Sequence, residues 1–118
     1  MEVAETSAER VARNDATFRD ANEAIRARAS HLSADAELVP FICECADLRC
    51  TKILRLTLDE YEAVRAHGRR FLMAPGHSDA AGEHGRIVAE QASYVVFEKT
   101  GRAGELAGEL DPRGEGSQ

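Results

Sequence analysis

Residues 38–57 read LVPFICECADLRCTKILRLT, two apolar runs of strand type flanking a short turn-forming segment. In the first run Pro40 marks the opening of a strand, and the period of two places Phe41, Cys43 and Cys45 on one face. In the second, Leu54 and Leu56 alternate with Arg55 and Thr57, the pattern of an antiparallel partner for the first. Working outward, Thr57 followed three residues later by Glu60 is a capping box. It opens a short helix with an apolar face of Leu58, Tyr61 and Val64, ending at Gly68. RRFLMA (69–74) then predicts a third strand, stopped by Pro75-Gly76 and a loop rich in Gly, Asp and Ser. RIVAE (86–90) and YVVFEK (94–99), joined by QAS, predict a hairpin. GRAGELAGEL (101–110) predicts a last helix with Ala103, Leu106, Ala107 and Leu110 on one face, before Asp111-Pro112 stops it.

Upstream, Thr6 and Glu9 form another capping box, and the chain from there to Ser33 reads as one long helix. Val11, Phe18, Ile25 and Leu32 recur every seven residues, with Ala21 and Ala29 beside them. The companion positions Asn14, Ala21 and Arg28 leave this seam only half apolar. Such a helix either pairs with a copy of itself, with Asn14 or Asn22 setting the register, or lays its stripe on the sheet of its own chain. The order of elements predicts an α+β fold: a long N-terminal helix followed by a small, mainly antiparallel sheet with two short helices. The organisation expected is an amphipathic helix over residues 1–35, an α+β core over 36–112 and a flexible tail over 113–118.

The chemistry concentrates in Cys43, Cys45 and Cys50, a C-x-C-x4-C cluster at a strand end and the turn after it. A turn can fold Cys50 back toward two cysteines that share a strand face, so three sulfurs converge with little loop entropy to lose. His77, just past Pro75-Gly76, is the candidate for a fourth ligand, and His84 in the same loop is its reserve. Three thiolates and an imidazole make a closed tetrahedral site, the donor set of structural Zn2+. Two other readings use the same residues. The cysteines can be small buried hydrophobes, or a thiol redox sensor in which Arg49 activates Cys50 and Cys43 or Cys45 resolves it.

Composition bounds the remaining functions. The 118 residues are 43% hydrophobic and 31% charged, which fits one folded domain and excludes a disordered acidic tail. Aromatics are 5% with no Trp, so the core is thin and calls for a staple. A net charge of −6 argues against nucleic acid, because phosphate-backbone binding needs clustered base. Arg65, Arg69 and Arg70 are the one local basic run, which reads either as a solvated face or as a site for one phosphate or an acidic partner. No apolar stretch reaches the roughly 20 residues of a membrane span, and MEVAETSAER lacks the apolar core of a signal peptide. The location expected is cytoplasmic, which keeps the three cysteines reduced or metal-bound. A His77–Asp79 hydrolytic dyad lacks a nucleophile on a G-x-S-x-G elbow, and the P-C-x-x-C of zinc deaminases is absent, so the sequence points away from an enzyme. What remains is a binding or regulatory domain, with the N-terminal helix serving a homodimer or docking to a protein partner.

The segment FICECADLRCTKILRLTLDEYEAVRAHGRRFLMAPGH (41–77), with FRDANEAI upstream and YVVFEKTG downstream, resembles a group of small uncharacterised bacterial proteins. These carry a similar C-E-C block, a T-x-x-E-Y-E helix and a closing P-G-H. The resemblance spans residues 14 to 113 and implies no activity. A P-G-H that accompanies the cysteines favours His77 over His84 as the fourth ligand. Gly68 stands where the group would have a residue such as Pro, a departure confined to a helix end.

Overall fold

In a computed structural model, which describes residues 6–32, 38–45, 47–77 and 83–113, Thr6 opens the first element. Its hydroxyl accepts the Glu9 N–H at 3.1 Å while Glu9 accepts the Thr6 N–H at 3.0 Å, so the capping box forms as read. Helix α1 runs Ser7–Leu32, followed by β1 Val39–Ile42, β2 Ile53–Leu56, α2 Leu58–Arg65, β3 Arg70–Met73, β4 Gly85–Glu90, β5 Val95–Lys99 and α3 Gly101–Glu109. The fold is α+β. Ser33, read as the end of the first helix, lies outside the described residues.

The strands form two antiparallel sheets where one was expected. Among the described residues β1 pairs only with β2, in the register Val39↔Leu56 and Phe41↔Leu54, and the second sheet has the order β3-β5-β4. Phe71 faces Phe97 in its β3–β5 ladder, and a bulge shifts the β4–β5 register between Ile87 and Ala89. The sheets stay separate because the chain turns from one to the other after Ile42. The Cys43 N–H still bonds the Lys52 carbonyl, but the Glu44 N–H bonds the carbonyl of Leu72 in β3 at 2.9 Å. β1 therefore stops short of the C-x-C, which bridges the two sheets.

α2 starts at Thr57 with both capping-box bonds, at 2.8 and 3.1 Å. It ends at Ala66, two residues before the glycine that sequence takes for its stop. Tyr61 and Val64 are buried, and the Tyr61 ring stacks on Phe41 at 4.2 Å between centroids, fixing α2 to the first hairpin. In α3 Ala103 and Ala107 are buried as read, but Leu110 is exposed and Gly104 packs in its place.

The packed face of α1 differs from the apolar stripe. Phe18 and Ile25 are half-buried and Ala21 is exposed, while Val11, Ala12, Asp15, Ala16, Arg19, Asn22 and Ala29 are buried. The helix lies against α3 and β1 of its own chain, so its packing is chiefly on a helix where one sequence reading laid the stripe on the sheet. Its three buried polar side chains hold it there. Arg19 donates to the carbonyls of Gly68 and Ala107 at 2.7 and 3.0 Å, Asp15 pairs with Lys99 of β5, and Asn22 bonds the backbone of Ile42. Arg113, at the point where sequence places the start of a tail, donates to both Glu23 and Glu62. No helix among the described residues is long and apolar enough to cross a membrane.

Candidate metal centre

Two tight turns deliver two of the four candidate ligands. In Ala74-Pro75-Gly76-His77 the His77 N–H returns to the Ala74 carbonyl at 3.0 Å. Pro in the second position and Gly76 at φ 87° in the third are the chemistry of a type II turn, which requires positive φ where the glycine stands. In Asp47-Leu48-Arg49-Cys50 the Cys50 N–H bonds the Asp47 carbonyl at 3.0 Å, and the Asp47 carboxylate accepts the Arg49 N–H at 2.9 Å. Cys50 and His77 thus each occupy the fourth position of a turn, one beside each sheet. Cys43 and Cys45 come from the bridge between the sheets.

These elements bring Cys43, Cys45, Cys50 and His77 together, with all four donor atoms within 4.8 Å of one another. His77 Nδ1 lies 3.6 Å from Cys43 Sγ and 3.4 Å from Cys50 Sγ. Zinc bonds of about 2.3 Å to sulfur and about 2.0 Å to nitrogen give tetrahedral edges of about 3.5 Å for S···N and about 3.8 Å for S···S. The His77 distances match that edge. Cys43 and Cys45 are buried, whereas Cys50 and His77 are half-buried. The Ala74 N–H points at Cys43 Sγ at 3.2 Å, a donor suited to a sulfur carrying negative charge.

Burial drives the Cys43 thiol far above the ordinary cysteine range, with the charges of Cys45 and Cys50 adding to the rise and the Ala74 N–H opposing it. Burial raises Cys45 as well, against the pull of the Asp47 backbone. Without a cation burial favours the neutral thiols of Cys43 and Cys45; a divalent ion beside the sulfurs would reverse that preference. The four residues form a sulfur and nitrogen donor set that could hold a metal ion.

His84 lies elsewhere, with Nε2 3.4 Å from Ser7 Oγ and beside Glu83, so the reserve ligand does not reach the cluster. Asp79 lies outside the described residues. Arg49, the expected activator of Cys50, is almost wholly exposed and turns to the Asp47 carboxylate at 3.5 Å. The basic run also dissolves: Arg65 is buried against Asp111 and Glu23, Arg70 pairs with Glu98, and Arg69 is exposed.

Sequence reasoning missed Glu44. Alternation places it opposite Cys43 and Cys45, facing solvent, yet it is fully buried. Its carboxylate accepts the Leu72 N–H at 3.0 Å and the Asn22 amide at 2.7 Å. The usable signal was an acid flanked by two buried cysteines, a place where a charge is tolerated only with partners. No protein-family model, curated protein or solved structure matches this chain.

Proposed function

We propose that the chain is a small cytoplasmic binding or regulatory domain stapled by one structural zinc ion, held by Cys43, Cys45, Cys50 and His77. The convergence of the four donor atoms within 4.8 Å carries this reading. Three thiolates and an imidazole select a soft, tetrahedral ion, and zinc is the redox-inert ion with that preference. Four protein ligands close the coordination sphere and leave no position for a substrate, which favours a structural over a catalytic role. The outward face of α1, with Thr17, Asp20, Ala24 and Arg28, is the surface left to a partner or a second copy.

Elemental analysis of protein purified without a metal-affinity tag tests the assignment. One zinc per chain is expected in wild type, a much reduced content in His77→Ala, and an unchanged content in His84→Ala. Metal-free wild type with three titratable thiols would remove the zinc reading and leave the thiol-sensor or packing roles of the cysteines.

A further inference from the structure

Asn22 sits in the middle of α1, 0% exposed, and its side chain makes three hydrogen bonds to the two residues that flank Cys43. Its Oδ1 accepts the Ile42 N–H at 2.8 Å, and its Nδ2 donates to the Ile42 carbonyl at 2.8 Å and to Glu44 Oε2 at 2.7 Å. Glu44, between two of the metal ligands, completes the arrangement by holding the Leu72 N–H of β3. In extended chain, neighbouring side chains point to opposite sides. The backbone conformation that aims Cys43 and Cys45 at the metal is therefore the one that presents Glu44 to α1 and β3.

The remaining contacts of α1 make it sensitive to that conformation. Its buried apolar residues are small, Val11 and three alanines, with Ile25 half-buried against the core, and oriented polar contacts through Asp15, Arg19, Asn22 and Glu23 add to its docking. Such contacts are lost when a partner moves by an ångström or two, whereas apolar packing yields gradually.

Resting on the metal assignment above, we propose that Asn22 and Glu44 form a latch through which metal occupancy controls the docking of α1. Metal fixes Cys43 and Cys45, the fixed segment holds Glu44 in place, and Glu44 with Ile42 holds Asn22. By linkage the effect is reciprocal: docking of α1 preorganises the Cys43–Cys45 segment and tightens metal binding by the same factor. Asn22 and Glu44 are positioning residues that touch no metal and act through the cysteines.

Hydrogen exchange on the full chain, with zinc and after chelation, reads the latch directly. Removing zinc is expected to speed exchange of the α1 amides around Arg19–Arg26 by tenfold or more, and to change the β5 amides at Val96 and Phe97 much less. Asn22→Ala is expected to keep one zinc per chain but bind it about 10- to 100-fold more weakly in a chelator competition, the usual effect of losing a residue that orients ligands. Arg26→Ala, which removes a half-exposed α1 ion pair with Glu62, should stay within about threefold of wild type. Equal α1 exchange in both states, or wild-type zinc affinity in Asn22→Ala, overturns the latch while leaving the metal site standing. A wild type that binds no zinc removes the metal assignment itself, and is seen before any exchange is measured. Should Asn22→Ala fail to fold, the two exchange measurements on wild type still decide.

Discussion

Asp15 and Lys99 meet in the interior, both wholly buried, and the Lys99 ammonium lies 4.9 Å from the centroid of Phe71 and 5.1 Å from that of Phe97. Burial pushes the Asp15 carboxyl up to about 6, against the pull of Lys99 and Arg19. In the unfolded chain this carboxyl titrates near 3.8. Between those values the folded state keeps a proton that the unfolded state has lost, so stability from this site is present at low pH and falls as pH rises from about 4 to 6. The rise corresponds to about 3 kcal/mol. Lys99→Met leaves a buried carboxylate without its cation and is expected to cost about 3–5 kcal/mol at neutral pH. Asp15→Leu with Lys99→Met is expected to cost less than that single change, or to stabilise. Urea unfolding of the three proteins from pH 4 to 6.5 checks this, and wild type should lose stability relative to the double variant as pH rises. None of this was legible in the sequence, where position 15 falls off the seven-residue stripe and Lys99 reads as the polar end of a strand. The clustering of the four candidate ligands was legible because cysteine is scarce and their convergence depends on short-range geometry, a strand end and two tight turns. Glu44 and Asn22 were not, since what buries them is contact with elements 20 or more positions away.

Among the elements, those started by local side-chain chemistry were read correctly: both capping boxes form bonds within four residues, independent of what packs on them. The division into two sheets escaped because it turns on one backbone bond, from Glu44 to Leu72, between residues 28 apart. The packing of α3 escaped for a related reason. Leu110 suits the apolar face by period, but α3 approaches β5 so closely that a Cβ on Gly104 would sit 2.6 Å from the Lys99 carbonyl oxygen. In an isolated helix Gly→Ala stabilises by about 1 kcal/mol. Here the sign reverses, because the contact is with backbone that cannot swing aside. Gly104→Ala is expected to lower stability by about 1–3 kcal/mol by forcing α3 off the sheet. Thermal unfolding measured beside Gly108→Ala separates the two effects, since Gly108 has no neighbour closer than the Arg69 guanidinium at 4.0 Å.

For the whole molecule, the question is what joins two small sheets that share no ladder. Phe41 on Tyr61 and the bonds of Glu44 to Leu72 make part of the connection. Residues of both sheets also share one apolar core, and the four candidate ligands add a further link, since Cys43 and Cys45 follow β1, Cys50 precedes β2, and His77 follows β3. A metal at that point closes a loop of 35 residues between Cys43 and His77, including both ends, and holds the first hairpin to the second sheet. Small cores commonly need such a staple, and binding to the folded state alone adds RT ln(1 + [L]/Kd) to its stability. A thousandfold excess of free zinc over Kd therefore contributes about 4 kcal/mol. For a chain of this size that corresponds to roughly 15 °C in Tm. Calorimetry at a series of buffered zinc concentrations should show Tm rising with the logarithm of free zinc in wild type and in His84→Ala, and staying nearly flat in Cys45→Ser. A wild-type Tm that ignores zinc would mean that the two sheets are joined by packing and hydrogen bonds alone.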